Sequence, residues 1–119
     1  MGTVSDEGGN GVTTNPDGSE VYITGYGNLD GQFYAGNGDI FLVKWASNGN
    51  KIWSSLFGST NLDNGECVTT SFNGSSTYIA GYTYGNIGGQ TNAGGADVNL
   101  LQVSTGFYCS DIFVYLLIN

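Results

Sequence analysis

The chain repeats itself. Val12-Thr-Thr-Asn-Pro-Asp-Gly-Ser-Glu-Val-Tyr-Ile-Thr-Gly-Tyr26 lies over Val68-Thr-Thr-Ser-Phe-Asn-Gly-Ser-Ser-Thr-Tyr-Ile-Ala-Gly-Tyr82 at an offset of about 56 residues, with roughly 9 of the 15 positions identical, a match that marks a repeat architecture. The offset then grows by about two residues, where residues 27–30 face the longer stretch 83–88. Gly31, Gln32, Ala35, Gly36, Asp39 and Leu42 recur as Gly89, Gln90, Ala93, Gly94, Asp97 and Leu100. An insertion confined to a Gly/Asn-rich stretch between apolar runs behaves as a surface loop does. The 119 residues are therefore about two copies of one unit.

Each unit reads as four short strands. In the first copy they cover residues 11–15, 20–26, 39–45 and 51–57; the third is a nearly continuous apolar run, as expected of a strand buried on both faces. The second copy supplies residues 65–72, 77–83, 97–104 and 112–118. Residues 47–50 and 73–76 carry Asn-Gly hairpin signals, because both residue types tolerate positive φ. No stretch shows sustained helical periodicity with caps. The fold class expected is all-β, as two four-stranded antiparallel blades of a partial β-propeller, since units of four strands at this period pack face to face in that architecture. The division expected is 1–64 for a first repeat that begins mid-unit, 65–106 for a second, and 107–119 for a divergent apolar tail or closing strand. The tail matches nothing in the first copy, and truncation or an altered reading frame is the favoured account of it.

Composition removes much chemistry. The chain has no histidine and no arginine, 2 lysines against 10 acids, and a formal charge of -8. Without imidazole there is no Ser-His-Asp or Cys-His pairing and no histidine zinc site. The acidic balance argues against nucleic acid and anionic membrane, both of which ask for a positive surface. The longest apolar run, 112–118, is far shorter than the roughly 20 residues of a membrane helix. The first residues have neither a cationic segment nor an apolar one, so no secretory signal is read in them. Charged residues make up 10% of the chain, against about 25% in an ordinary globular protein. Polarity must then come from Gly, Asn, Ser and Thr, a composition common in turn-dense extracellular β modules.

The run Gly31-Gln32, Ala35-Gly36, Asp39-Ile-Phe-Leu-Val-Lys44, Asn48-Gly-Asn-Lys-Ile-Trp53 and Phe57-Gly58, together with the Val-Tyr-Ile-Thr-Gly-Tyr motif ending at Tyr26, resembles the SBBP family of β-propeller repeats. The segment from Gly89 to Gly94 with Asp97 is similar to the same pattern, and the resemblance spans about residues 2–106. It implies a seven-bladed or similar propeller in a secreted or cell-surface protein, hence an extracellular setting, and it brings no agreed catalytic residues. Two blades cannot close a ring, so further blades or self-association are the partners expected. The function expected is a non-catalytic scaffold or binding surface for protein or glycan. The alternative is a fragment of a propeller hydrolase or lyase whose catalytic residues lie in absent blades.

Candidate residues follow from the repeat. Asp39 and Asp97 share one repeat position, as do Gly25 and Gly81, and Gln32 and Gln90. Recurrence once per unit separates such residues by a whole blade, which points to architecture, with each carboxylate accepting backbone N–H groups at a turn. Asp30, Asp63 and Glu66 lie in acidic Asn/Gly-rich loops and are weak calcium candidates, since hard cations take several oxygen ligands from flexible loops. Neither loop matches the twelve-residue calcium pattern of about six spaced ligands, and no cofactor is otherwise expected. Trp45, Trp53, Tyr26, Tyr82 and Tyr84 are candidates for stacking on a sugar, although packing between strands explains them more simply. The formal glycosylation triplet at residues 73–75 matters only in a eukaryotic secretory setting. Cys67 and Cys109 are expected to be free, buried or incidental, with a bridge the lesser expectation.

Overall fold

The computed structural model describes residue 3 and residues 5–29, 36, 38–105 and 114–118. Eight strands follow in order: β1 (Gly8–Thr14), β2 (Glu20–Gly27), β3 (Asp39–Ala46), β4 (Lys51–Phe57), β5 (Asp63–Thr70), β6 (Ser76–Thr83), β7 (Asp97–Ser104) and β8 (Val114–Ile118). They form two antiparallel sheets, ordered β1-β2-β3-β4 and β5-β6-β7-β8, and neither closes on itself. The described residues contain no helix.

The sequence repeat is a structural repeat that extends to the bulge in its first hairpin, although the β3–β4 shift between Lys44 and Trp45 has no counterpart between β7 and β8. In the first sheet the β1–β2 register shifts between Gly9 and Gly11, and in the second the β5–β6 register shifts between Gly65 and Cys67, at the equivalent place. Each bulge brings the edge strand hard against a glycine of its neighbour. A Cβ on Gly25 would stand 1.8 Å from the Gly8 carbonyl oxygen, and one on Gly81 would stand 1.9 Å from that of Asn64. The hairpin turns repeat as well. Ser19 N–H donates to Asp17 Oδ1 at 2.9 Å, and Ser75 N–H donates to Asn73 Oδ1 at 3.1 Å. Gly18 and Gly74, the residues between them, adopt φ of 75° and 72°, where a side chain is strained.

Strand starts differ from the sequence reading at β1 and β5, which begin at Gly8 and Asp63 and not at residues 11 and 65. The early residues are glycines and asparagines that carry no alternating apolar pattern, and the bulge breaks the period. The segment after residue 106 supplies β8, which pairs with β7 from Val103↔Val114 to Asn99↔Ile118 and so fills the closing-strand position of the second sheet.

Side chains alternate across the strands and build the core between the sheets. Tyr22, Ile40 and Leu42 of the first sheet cluster with Ile79, Leu101 and Val103 of the second, joined by Ile87, Trp53, Phe57 and Val68. Ile40, Leu42, Ile79, Leu101 and Val103 are fully buried, each contributing about 1.5–3 kcal/mol. Strand β5 packs against β1, β2 and β3. Its approach is close because Gly65 has no side chain: a Cβ there would come within 2.5 Å of Thr24 Oγ1 and 3.0 Å of Ile40 Cγ2. A second cluster, Leu29, Phe41 and Val43 with Ile23, Trp45 and Leu56, lies on the other face of the first sheet, so β3 is buried on both faces.

The crossover from β4 to β5 is tied down by Asp63, which is fully buried. Its carboxylate accepts from Ser59 N–H at 2.6 Å, from the Ser59 hydroxyl at 2.9 Å and from the Thr83 hydroxyl. Asp63 N–H in turn donates to the Gly38 carbonyl at 2.9 Å.

Candidate functional site

Two hairpin turns that occupy equivalent places in the repeat, residues 15–19 and 72–75, meet at Pro16 and Gly74 and line a cleft of about 630 Å³. Its lining adds Glu20 from β2, Lys44 from β3, Ile52 and Trp53 from β4, and Thr105 after β7. Such a volume lies within the range of small-molecule sites, about 300–1,000 Å³. Phe72, at the tip of the second turn, is 98% exposed.

At the base of the cleft is a buried charge. Lys44 retains 6% of its exposure, and its Nζ lies 2.8 Å from Glu20 Oε1. The ammonium also donates to the Thr105 carbonyl at 3.5 Å and lies 5.7 Å from the centroid of the Tyr22 ring. Tyr22 completes the group by donating its hydroxyl to Glu20 Oε2 at 3.1 Å. Burial alone would lower the Lys44 pKa, but the hydrogen bond that Lys44 donates to Glu20, together with the electrostatic influence of Tyr22 and Glu20, outweighs it, holding the pKa above the ordinary lysine value. Tyr22 is raised too: burial dominates, against the opposing effects of Thr105 and Lys44. Lys44 is therefore an ammonium at neutral pH, suited to hold Glu20 in place and not to act as a free amine nucleophile. At the rim, Ser19, first through its side chain and then its backbone, holds the Asp17 carboxyl below the usual aspartate value.

The sequence candidates fall in several places. Trp53 lines the cleft. Trp45 sits on the opposite face beside Val43, with a buried indole Nε1 that has no hydrogen-bond partner. The Tyr26 ring lies over Gly8, so close that a Cβ there would fall 2.5 Å from Cε1. Tyr82 and Tyr84 meet edge to face, with centroids 5.9 Å apart, and Tyr84 borders a separate recess with Ser59, Asn61, Asn86 and Asn92. Only Trp53 of the five reaches the cleft.

The carboxylates are likewise dispersed. Asp63 is held by Ser59 and Thr83, while Glu66 accepts from the Asn64 amide at 2.7 Å. No group of three or more acidic or sulfur and imidazole ligands converges among the described residues. Asp97 accepts from Ala93 N–H at 2.6 Å, and buried Asp39 lies against Gly58, where a Cβ would meet its carboxylate at 2.3 Å. Gln90 N–H donates to the Ile87 carbonyl at 2.9 Å. Cys67 is a free thiol and is exposed, not buried, at the β5 bulge. Asp30, Gln32 and Cys109 lie outside the described residues.

Sequence reasoning did not single out Glu20, Lys44 or Phe72. A signal for Lys44 was present, since a cation inside an apolar strand needs a buried partner. The partner was named only by the cross-strand register, which sets Tyr22 opposite Lys44 and Glu20 one side-chain step along the same face. No family model matches this chain, and no curated protein matches it.

Proposed function

We propose that the chain is a non-catalytic β-repeat module of β-propeller type, similar to SBBP repeats, whose inter-sheet cleft is a binding surface for a neutral glycan. The observation that carries this reading is the cleft itself, where aromatic faces stand among hydrogen-bonding groups. Trp53 and exposed Phe72 supply apolar faces for the C–H side of a sugar ring. Asn15, Asp17, Glu20 and Asn73 supply acceptors and donors for its hydroxyls. A neutral ligand is favoured because the formal charge of -8 repels anions, while Lys44 is already paired with Glu20. The absence of histidine and arginine from the sequence supports a binding role over a catalytic one. An extracellular setting agrees with the low charge content and with the family resemblance.

An array of neutral oligosaccharides, followed by tryptophan fluorescence with the best binder, tests the proposal. In a Trp45→Phe background the remaining indole is Trp53, and a saturable change in its emission is expected. Trp53→Ala and Phe72→Ala should abolish or weaken binding at least ten-fold, about 1.4 kcal/mol, whereas Tyr84→Ala should leave it unchanged. Absence of binding across the array at millimolar sugar overturns the glycan reading.

A further inference from the structure

The two sheets use opposite faces to meet each other. The first sheet presents Tyr22, Thr24, Ile40 and Leu42, and the second presents Val68, Ile79, Leu101 and Val103. Because the sheets are repeats, each also carries on its far side the counterpart of the face its neighbour uses. The counterparts of Val68, Ile79, Leu101 and Val103 in the first sheet are Val12, Ile23, Val43 and Trp45. The counterparts of Tyr22, Thr24, Ile40 and Leu42 in the second are Tyr78, Ala80, Val98 and Leu100. Leu29, packed on Val43, likewise corresponds to Ile87, packed on Leu101.

Exposure differs at most of the matched positions, although Val43 is as fully buried as its counterpart Leu101. Ile40 is fully buried, but its counterpart Val98 is 62% exposed. Ile79 is fully buried while Ile23 is half-buried, and Val12 is 68% exposed where Val68 is partly buried. Thr24 is buried and Ala80 is exposed.

We infer that the chain binds a second copy of itself head to tail, seating the Val12, Ile23 and Trp45 face of one copy on the Tyr78, Val98 and Leu100 face of the next in the geometry of the internal sheet-to-sheet contact. The occupant is a second copy because the two outward faces are the two halves of a contact that already exists within the molecule. Such a contact is heterologous: each copy uses a different face toward each neighbour, so association proceeds to a ring if the rotation closes and to a filament if it does not. The inference rests on the repeat-stack part of the proposed function and is independent of the glycan.

The test uses the 119-residue chain and two variants, Val12→Lys and Val98→Lys, by sedimentation or mass photometry at micromolar to millimolar concentration. The unmodified chain should associate, with a weight-average mass at least two-fold above the monomer. Each variant should be monomeric, because one of the two faces is blocked in every copy. Both positions are exposed, so folding should survive, and lysine lowers the net negative charge, so general repulsion cannot account for lost association. An equimolar mixture should form a dimer and nothing larger, through the one intact pair of faces. A monomeric parent chain, or a mixture that stays monomeric, overturns the inference. Amide exchange at Ile79 and Leu101 separates the two readings: protection there in a monomer leaves the internal stack standing, and its loss overturns the stack as well.

Discussion

Lys44 Nζ lies 2.8 Å from Glu20 Oε1 in the first repeat, where the second repeat has Gln102 Nε2 donating to Ser76 Oγ at 3.2 Å. One position of the fold thus holds an ion pair in one copy and a neutral hydrogen bond in the other. The charged version is seated where Thr105 crosses over from the second sheet, and it anchors the floor of the cleft.

Breaking that pair from one side should cost more than exchanging it whole. Glu20→Gln leaves a buried ammonium without its counter-charge and should lower stability by about 1–3 kcal/mol, a figure kept low because Glu20 is partly exposed. The double variant Glu20→Ser with Lys44→Gln, which copies the second repeat, should recover most of the loss. Urea titration of the three proteins measures it. Equal losses in the single and double variants would count against the pair as a coupled unit.

Alkaline pH should weaken the fold through the same group. Lys44 and Tyr22 both have pKa values raised on folding, so their contributions are complete below the unfolded values, about 10.4 and 10. Each contribution declines as the pH rises from those values through the higher folded ones. Stability measured between neutral pH and pH values above 10 should fall, and the fall should be shallower in the Glu20→Ser, Lys44→Gln variant. An unchanged slope in that variant would remove Lys44 as a source.

The bulge glycines should be intolerant in parallel. Gly25→Ala and Gly81→Ala force a methyl into a carbonyl oxygen, and each should destabilise by about 3 kcal/mol or more, or prevent folding. Gly9→Ala serves as the control, because its Cβ would meet nothing closer than Ile23 Cγ2 at 3.7 Å. Thermal melting of the three variants distinguishes a close-approach requirement from a general dislike of alanine in β1 and β2.

Asn99 should be replaceable with profit. It is fully buried, and neither its Oδ1 nor its Nδ2 has a hydrogen-bond partner, while the first repeat has Phe41 at the equivalent place. Asn99→Val, closer in volume than leucine would be, should raise stability by about 1–2 kcal/mol in urea denaturation by removing a buried unsatisfied amide. A loss of stability would mean that the amide is satisfied by a bound water.

Asp63 should behave in the opposite way. Asp63→Ala strands the Ser59 N–H and the Ser59 and Thr83 hydroxyls, and should cost about 3 kcal/mol or more. Thr83→Val removes one donor to Asp63 and the acceptor of Gly85 N–H, and should cost less, about 1–2 kcal/mol. Similar losses in the two variants would show that the carboxylate is not the hub of the crossover.

The order of the strands, the hairpins and the twofold repetition were legible in the sequence, because each rests on local chemistry. Alternating and continuous apolar runs mark strands such as β3, Asn-Gly pairs mark turns, and an offset of about 56 residues survives in positions that only glycine or a turn former can fill. Other features rest on distance through space. The pairing of Glu20 with Lys44 depends on the β2–β3 register, and the hold of Asp63 on Ser59 and Thr83 depends on where a crossover lands. The cleft exists only because the two sheets stack so that two equivalent turns, about 56 residues apart, come to meet. Likewise, which face of each repeat is buried and which is left outward is decided by that stacking alone, since the apolar pattern on the two faces is nearly the same in both copies.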